Sequence, residues 1–309
     1  MLSGGKMSCP RKGLPMRVFM ACCVVLLCFA TPVWAGTLSL EAGSVVLFDM
    51  RSKRVLYEQD SMRKIPPASL TKIMAMFVAL DVVKSDKLSL RTPIRVSKAA
   101  ASTGGSSMRL KAGEFVRLDD LLRGMAVVSA NDASVAVAEY IAGSQAAFVD
   151  MMNRKAKQIG LKDTVFKTPH GLPAKGQVTT AVDMLRLACR YLEAHPAARY
   201  YHGSPAMLHN GILMTNTNRL LEQDRVCGLK TGFTKESGYN IILTGNLHGR
   251  EMVAVLMRAP SVEVRTREAK RLLNYGATLA ESLEKKSASY KTLPQAASLS
   301  PSSQGGTLR

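Results

Sequence analysis

The sequence predicts a mixed α/β fold of the α+β kind, in which helices flank a largely antiparallel sheet built from both ends of the chain. Two β-hairpin patterns support this prediction: residues 45–57 read as strand, turn and strand, and residues 240–256 repeat the pattern. Several helical patterns lie between the two hairpins, and they predict a helical subdomain inserted between the two parts of the sheet.

Each element follows from local spacing. In the first hairpin, apolar residues 45–49 and 55–57 flank a polar turn at 51–53. In the second, apolar residues 240–244 and 252–256 flank a turn at 248–250, and a last helix runs to about Leu283. Apolar residues three and four positions apart predict further helices at 70–83, 118–128, 132–141, 146–159 and 180–192.

Residues 1–35 have the pattern of a signal peptide. A basic stretch ends at Arg17, an apolar stretch covers 18–30, and small residues lead to Ala35. The apolar stretch is shorter than the roughly 20 residues of a membrane-spanning helix. We therefore expect cleavage after Ala35 and export to a bacterial periplasm or cell envelope, with one folded domain at 36–284 and a flexible Ser/Gly-rich tail at 285–309.

The composition limits the kinds of molecule that the protein is expected to bind. The chain has 42 Lys and Arg against 23 Asp and Glu, a formal net charge of +19, which favours anionic neighbours such as an acidic polymer or membrane head groups. No basic-aromatic run indicates nucleic-acid binding, while peripheral membrane contact stays open. We expect no cofactor, because the five histidines lack metal-ligand spacing and no phosphate-binding glycine loop is present. The pairing of Cys189 and Cys227 also stays open.

The first motif with chemical content lies around Ser69. Two prolines at 66 and 67 keep the chain extended, and Ser69 then begins a helix, where free backbone N–H groups favour an oxyanion. Lys72 follows three positions later, so its amine shares a helix face with the Ser69 hydroxyl and can act as its base. Alone, such a pair is more often an N-cap serine beside an unrelated lysine.

Two further motifs change that interpretation. Ser129-Ala130-Asn131 lies between two predicted helices, and Lys230-Thr231-Gly232 leads into the strand that starts at Tyr239. The S-x-x-K, S-x-N and K-T-G patterns, in this order, form the catalytic set of penicillin-binding proteins and class A β-lactamases. Each is weak alone, but their joint occurrence in a chain with this layout is specific.

From about Leu38 to Gly276 the sequence resembles the low-molecular-mass penicillin-binding proteins, the serine D-alanyl-D-alanine carboxypeptidases. The resemblance implies a β-lactamase/transpeptidase-like fold with a five-stranded antiparallel sheet, and makes 36–284 the catalytic domain. It also implies the peptidoglycan stem peptide as substrate and β-lactam antibiotics as covalent inhibitors. The matching segments are Pro66 to Lys72, Gly105 to Met108, Ser129 to Ala133, Phe166 to Leu172, Thr179 to Met184 and Lys230 to Thr234.

The resemblance also implies a role for each site residue. Ser69 is the nucleophile, Lys72 its proton acceptor, and Ser129 the relay to the leaving D-Ala amine. The backbone N–H groups of Ser69 and Phe233 form the oxyanion hole. The expected substrate-binding residues are Asn131 for the substrate backbone, Lys230 for positive charge, Thr231, Thr234 and Arg265 for the terminal carboxylate, and Gly232 and Phe233 in the strand motif.

The sequence departs from the family pattern in two places. Phe233 stands where relatives often carry His, so no titratable side chain at that position is available for deacylation. A Ser/Gly tail follows the last helix where many relatives continue into a β-rich domain and an amphipathic anchor, so we expect no membrane attachment by that route.

Three alternative functions remain. A D,D-endopeptidase would cut cross-links with the same residues. A class A β-lactamase would need a Glu-x-x-Leu-Asn block, and the region at 161–166 does not contain one. A wall-binding protein without turnover is opposed by the intact Ser69, Lys72 and Lys230.

Overall fold

The computed structural model describes residues 38–222, 226–247 and 249–291, so the predicted signal peptide and the tail beyond residue 291 lie outside the described residues. Single 3₁₀ turns occur at Ala68–Leu70 and Arg219–Glu222. In chain order the other elements are β1 (Ser44–Asp49), β2 (Arg54–Gln59), α1 (Thr71–Lys84), β3 (Pro93–Arg95), α2 (Lys98–Ala101), β4 (Phe115–Arg117), α3 (Leu118–Val127), α4 (Asn131–Ala142), α5 (Gln145–Gln158), α6 (Ala181–Ala194), α7 (Ala198–Gly203), β5 (Ala206–His209), β6 (Ile212–Thr215), β7 (Val226–Thr234), β8 (Gly238–Leu247), β9 (Arg250–Ala259) and α8 (Val262–Lys291).

A five-stranded antiparallel sheet joins the two ends of the described chain. Its strands lie in the order β2-β1-β9-β8-β7, so the N-terminal hairpin pairs with the C-terminal one through β1 and β9. The antiparallel sheet predicted from the two hairpin patterns, with helices around it, is confirmed. This arrangement places β7 on one edge of the sheet.

The sheet separates two apolar cores. Alternate side chains of a strand point to opposite faces, so Val45 and Leu47 pack on the side of α8 while Val46 packs on the side of the other helices. In α1, every residue from Thr71 to Leu80 is buried. A helix that is buried all round lies inside the protein, and α1 therefore gives the side chains near its start a rigid support.

The structure differs from the sequence predictions at two elements. The Lys230-Thr231-Gly232 segment does not merely lead into a strand but lies within β7, which pairs with β8 along its length. The two glycines and the lysine of β7 interrupt the alternation of apolar and polar residues that identifies a half-buried strand. The last helix was expected to end near Leu283 but continues to Lys291, because residues 284–291 contain mainly good helix formers.

No helix in the described part of the chain combines the length and the apolar character that crossing a bilayer requires.

The buried carboxylate of Asp132, in the first turn of α4, holds the loop at residues 104–110 in place. One of its oxygens accepts hydrogen bonds from the Ser107 hydroxyl at 2.6 Å and from the Leu110 N–H at 3.1 Å. The other oxygen accepts from the N–H of Met108 at 3.2 Å. Because hydrogen bonds to a charged acceptor are the stronger kind, this loop is fixed against α4.

Replacing this carboxylate tests its structural role. Asp132→Ala leaves buried N–H donors without a partner, so we expect the free energy of unfolding to fall by about 3–5 kcal/mol. Urea denaturation measures the change. The matched control is Asp150→Ala, an exposed acid of α5, which should change the free energy by no more than about 0.5 kcal/mol. Equal, small effects from both substitutions would contradict the assignment.

Candidate active site

Ser69 lies in the 3₁₀ turn that precedes α1, and this turn has an unusual backbone. Ala68 has a φ of 49°, in the left-handed region that side chains rarely adopt. Gly171 lies directly against it: a Cβ atom at that position would be 1.9 Å from the Ala68 carbonyl oxygen. The contact therefore requires glycine, and the segment around His170 and Gly171 supports the turn that carries Ser69.

Lys72 extends from the first turn of α1 into a set of three partners. Its Nζ is 3.0 Å from Ser69 Oγ, 2.7 Å from Asn131 Oδ1 and 2.7 Å from the His170 carbonyl oxygen. The last two atoms can only accept hydrogen bonds. A neutral amine has two N–H bonds and one lone pair, so when both N–H bonds point to these acceptors the lone pair is directed at Ser69 Oγ.

The electrostatics of Lys72 favour the neutral form. Its side chain is fully buried, and burial holds the pKa of this amine well below its ordinary value. The nearby positive charge of Lys230 lowers the pKa of Lys72 further, and the carboxylate of Asp132 opposes both effects. A lysine in this environment can accept the proton of a neighbouring hydroxyl.

Ser129 and Asn131 lie at the junction of α3 and α4. Ser129 has a φ of 63°, and a left-handed residue other than glycine is a strained one that the surrounding structure must hold in place. Its side chain lines the same cavity as Ser69. Asn131 donates from Nδ2 to the Gly104 carbonyl at 2.7 Å, which fixes the amide so that Oδ1 faces Lys72.

Edge strand β7 forms the opposite wall. At Gly232, a Cβ atom would lie 3.0 Å from the backbone nitrogen of Ser69, a tight contact that glycine avoids where the strand approaches the turn that carries Ser69. Lys230 is buried and donates from Nζ to the carbonyl oxygen of Thr231 at 3.0 Å. Burial, together with the charge of Arg265, lowers the pKa of Lys230 to about 7.

One end of the site has net positive charge, because Arg219 and Arg265 line the cavity with a single carboxylate, Glu263, beside them. Arg265, on α8, is only 6% exposed, and its Nε has no hydrogen-bond partner in the described structure. Thr231 also lines this cavity, and its hydroxyl donates to Thr217 Oγ1 at 2.8 Å. Because a buried donor without a partner costs free energy, the geometry suits an incoming carboxylate.

These groups surround a cavity of about 560 Å³. Of the residues predicted from the sequence, Ser69, Ser129, Thr231, Gly232, Phe233 and Arg265 line it. Lys72, Asn131 and Lys230 are buried beside it, with Lys72 and Asn131 in the hydrogen-bond network of Ser69.

Thr234 lies elsewhere. Its hydroxyl accepts a hydrogen bond from the Ser237 N–H at 3.1 Å, and the residue lines a neighbouring depression rather than this cavity.

Several residues of the cavity wall were not predicted from the sequence. The segment 215–219 supplies a side of the cavity, yet it follows a four-residue strand and shows no periodicity or motif. Tyr239 and Glu263 also line the cavity. The carbonyl of His170 left no sequence signal because it belongs to the backbone.

The imidazole of His170 accepts a hydrogen bond from the N–H of Leu172 at Nδ1, and burial beside Lys72 lowers the pKa of His170 to about 4. The described residues contain no group of three or more His, Cys, Asp or Glu side chains that could hold a metal ion.

Comparison with known proteins agrees with this geometry. Residues 31–261 match peptidase family S11, described as D-alanyl-D-alanine carboxypeptidase. D-alanyl-D-alanine carboxypeptidase DacC of Escherichia coli (strain K12) is 37% identical, with 81% of this chain and 66% of the relative covered. DacF of Bacillus subtilis (strain 168) is 34% identical, with 82% of this chain and 68% of the relative covered. The crystal structure of penicillin binding protein 6B from Escherichia coli superposes with a TM-score of 0.75 at 37% identity, covering 79% of this chain and 80% of that one.

The chain thus spans about two thirds of the length of these two carboxypeptidases. Its fold is that of the penicillin-binding proteins, as expected from the motifs. The family match covers well over half of the chain. The chain belongs to peptidase family S11, the family of the D-alanyl-D-alanine carboxypeptidases.

Proposed function

We propose that this protein is a serine D,D-carboxypeptidase, which removes the terminal D-Ala from peptidoglycan stem pentapeptides through an acyl-enzyme on Ser69. The observation that carries the proposal is the buried amine of Lys72, 3.0 Å from Ser69 Oγ and held by two groups that can only accept hydrogen bonds. The names of the relatives support the same activity. β-Lactam antibiotics acylate the same serine, in keeping with the cefotaxime-bound structure of penicillin-binding protein D2 from Listeria monocytogenes, which has this fold.

The first half of the reaction uses the Ser69–Lys72 pair. Neutral Lys72 takes the hydroxyl proton while Ser69 Oγ attacks the carbonyl of the penultimate D-Ala. The backbone N–H groups of Ser69 and Phe233 bind the developing oxyanion. The approach of Gly232 to the Ser69 nitrogen supports this role, since it brings β7 next to the nucleophile turn.

The second half releases D-Ala and regenerates the serine. Ser129 relays a proton to the leaving amine, which breaks the peptide bond and leaves the ester on Ser69. Asn131 holds Lys72 in position and binds the backbone of the substrate. Water then attacks the ester, and the proton that it loses returns to Ser69 Oγ as the acid product departs.

Positively charged and hydroxyl groups bind the C-terminal carboxylate of the substrate. Arg265 and the Thr231 hydroxyl bind the free carboxylate of the terminal D-Ala, with Lys230 behind them. To bind it, the Thr231 hydroxyl turns its single O–H from Thr217 Oγ1 towards the carboxylate. The Thr234 hydroxyl only accepts a hydrogen bond from the Ser237 N–H and keeps its own O–H available, but Thr234 lines the neighbouring depression. Arg265 lies in the cavity wall with an unused Nε donor, which supports the role suggested by its place in the sequence.

The setting of the enzyme follows from its substrate. Peptidoglycan lies outside the cytoplasmic membrane, and the predicted signal peptide at 1–35 would bring the protein to the periplasm or cell envelope. The net charge of +19 suits an acidic wall polymer.

A β-lactamase would need a general base that activates water, so that the acyl-enzyme is hydrolysed rapidly. Asp163 is the one acidic residue of the region 161–166. Its carboxylate forms an ion pair with Lys64 at 3.0 Å, and Asp163 does not line the cavity. Glu263 does line the cavity, but hydrogen bonds from its own N–H and from Ser261 lower the pKa of its carboxyl. A carboxylate with a lowered pKa is a weak base, so carboxypeptidase action is favoured.

The nucleophile is tested directly. Ser69→Ala should lose both hydrolysis of a D-Ala-D-Ala pentapeptide and covalent labelling by penicillin, because no other group in the site can supply the attacking oxygen. Mass spectrometry of the intact protein follows the adduct. Ser85→Ala, at an exposed serine after α1, should behave as wild type. A stable penicillin adduct on the Ser69→Ala protein would end this proposal.

The base is tested through pH. Lys72 acts only when neutral, so the acylation rate should fall as the pH drops through the pKa of Lys72. Since Lys230 lowers that pKa, Lys230→Met should raise it and move the acid limb of the pH–rate profile to higher pH. Lys230→Arg keeps the charge and should leave the limb closer to its wild-type position. Stopped-flow acylation by a chromogenic β-lactam gives the profile.

The control for this profile is Lys84→Met, at an exposed lysine at the end of α1. It should leave the acid limb where it is. An acid limb that stays unchanged or moves to lower pH in Lys230→Met would show that Lys230 does not tune the base.

The carboxylate site is tested with matched substrates. A charge-assisted hydrogen bond contributes about 1.5–3 kcal/mol, so wild type should prefer a D-Ala-D-Ala peptide over its C-terminal amide by about 10- to 150-fold in kcat/KM. Arg265→Ala should lose most of this preference and still take up penicillin at a reduced rate. Arg267→Ala, an exposed arginine of the same helix that pairs with Glu41, is the control.

Two results would contradict this assignment in different ways. An unchanged preference in Arg265→Ala would remove Arg265 from the site. Equal rates on acid and amide in wild type would favour the D,D-endopeptidase, whose substrate has an amide bond where the carboxypeptidase binds a free acid.

A further inference from the structure

The cavity has an aromatic wall that the proposed reaction does not use. Phe233 of β7 and Tyr239 of β8 are cross-strand partners, and their rings stack with centroids 4.2 Å apart and an angle of 24°. Both residues line the cavity, as does Val262 at the start of α8. The Phe233 side chain is 50% exposed although it is large and apolar. An exposed ring at the wall of a site offers apolar surface to a ligand.

This aromatic wall lies at the carboxylate end of the cavity. Val262 and Arg265 are three residues apart on α8 and both line the cavity, so they lie on the same face of the helix. Tyr239 pairs with Ala259, three residues before the start of that helix at Val262. The wall formed by Phe233, Tyr239 and Val262 therefore borders the guanidinium of Arg265.

The position of the wall identifies the part of the substrate that it faces. The Phe233 N–H is the oxyanion donor of the proposed mechanism, so the scissile carbonyl lies next to this residue. Arg265 binds the terminal carboxylate. The side chain of the terminal residue lies between these two groups and hence beside the aromatic wall. The methyl group of D-Ala covers little of a half-exposed phenylalanine ring, and a larger apolar group would cover more.

We propose that the enzyme also hydrolyses peptides that end in an aromatic or large apolar D-residue after the penultimate D-Ala. This inference rests on the proposed carboxypeptidase function and names a further class of substrate for it. The bonds that change are the same: Ser69 Oγ forms an ester with the D-Ala carbonyl, the peptide bond breaks, and the D-residue leaves with a proton on its amine. Water then hydrolyses the ester.

The test compares two peptides that differ only in the last residue, one ending in D-Ala-D-Ala and the other in D-Ala-D-Phe. The measured quantity is the ratio of kcat/KM for the D-Phe peptide to that for the D-Ala peptide. Wild type should give a ratio of at least 1. Phe233→Ala should lower this ratio by roughly 2- to 13-fold, the range of an aromatic pair. Tyr239→Leu should lower it in the same direction.

The ratio separates recognition from catalysis. A change in the oxyanion hole or in the fold alters kcat/KM for both peptides, so its effect cancels in the ratio. Loss of the aromatic wall lowers kcat/KM for the D-Phe peptide and therefore lowers the ratio. Phe115→Ala removes a similarly exposed ring (66%) that does not line the cavity, and it should leave the ratio unchanged. A peptide ending in D-Ala-L-Phe should not be cleaved, since its side chain points away from the wall when the carboxylate is bound.

The outcomes distinguish the two proposals. Cleavage of D-Ala-D-Ala with a ratio far below 1, or a ratio that Phe233→Ala leaves unchanged, would overturn the aromatic-wall inference and leave the carboxypeptidase function intact. Absence of hydrolysis of both peptides, together with absence of penicillin labelling, would overturn both.

Discussion

The site depends on keeping Lys72 buried and uncharged next to Ser69. A charged amine has three donors and no lone pair, so it cannot accept the serine proton. Burial disfavours the charge, and Lys230 adds a repulsive neighbour. Two acceptors, Asn131 Oδ1 and the His170 carbonyl oxygen, then satisfy both N–H bonds of the neutral amine. The remaining electron pair faces the Ser69 hydroxyl, which the proposed reaction activates.

Much of the surrounding structure serves this one arrangement. Ala68 and Ser129 both hold left-handed backbone conformations, each of which costs of order 1–3 kcal/mol. Gly171 lets its segment approach the turn that carries Ser69 more closely than a side chain would permit, and Gly232 avoids a tight contact between β7 and the same turn. Helix α1, buried through most of its length, supplies the rigid support that compensates for this strain. The strained positions lie at the site of the proposed chemistry.

The sequence predicts the groups that carry chemistry better than the walls that enclose them. Ser69, Lys72, Ser129, Asn131 and Lys230 stand in short motifs whose spacing reflects one geometry, and the helices around them show a clear 3.6-residue period. Strand β7 escaped prediction because its glycines, needed for close approach, erase the alternation of a strand. The segment 215–219 follows a hairpin of four-residue strands, too short for any period to appear. The His170 contact is made by a backbone carbonyl, which any residue carries.

The placement of charged groups around Lys72 matters as much as the hydrogen bonds that it forms. Asp132 lies near enough to Lys72 to oppose the lowering of its pKa, yet its oxygens are engaged by the loop at 104–110 and its own helix. A direct ion pair between the two would stabilise the charged amine and remove the base. With Asp132 occupied in this way, the charges of Lys230 and Arg265 act outward from Lys72 in turn: Lys230 lowers the pKa of Lys72, and Arg265 lowers the pKa of Lys230. Arg265 lines the cavity together with Arg219, and the single carboxylate of Glu263 balances only one of these two charges. An anionic group that enters the cavity therefore meets net positive charge at this end.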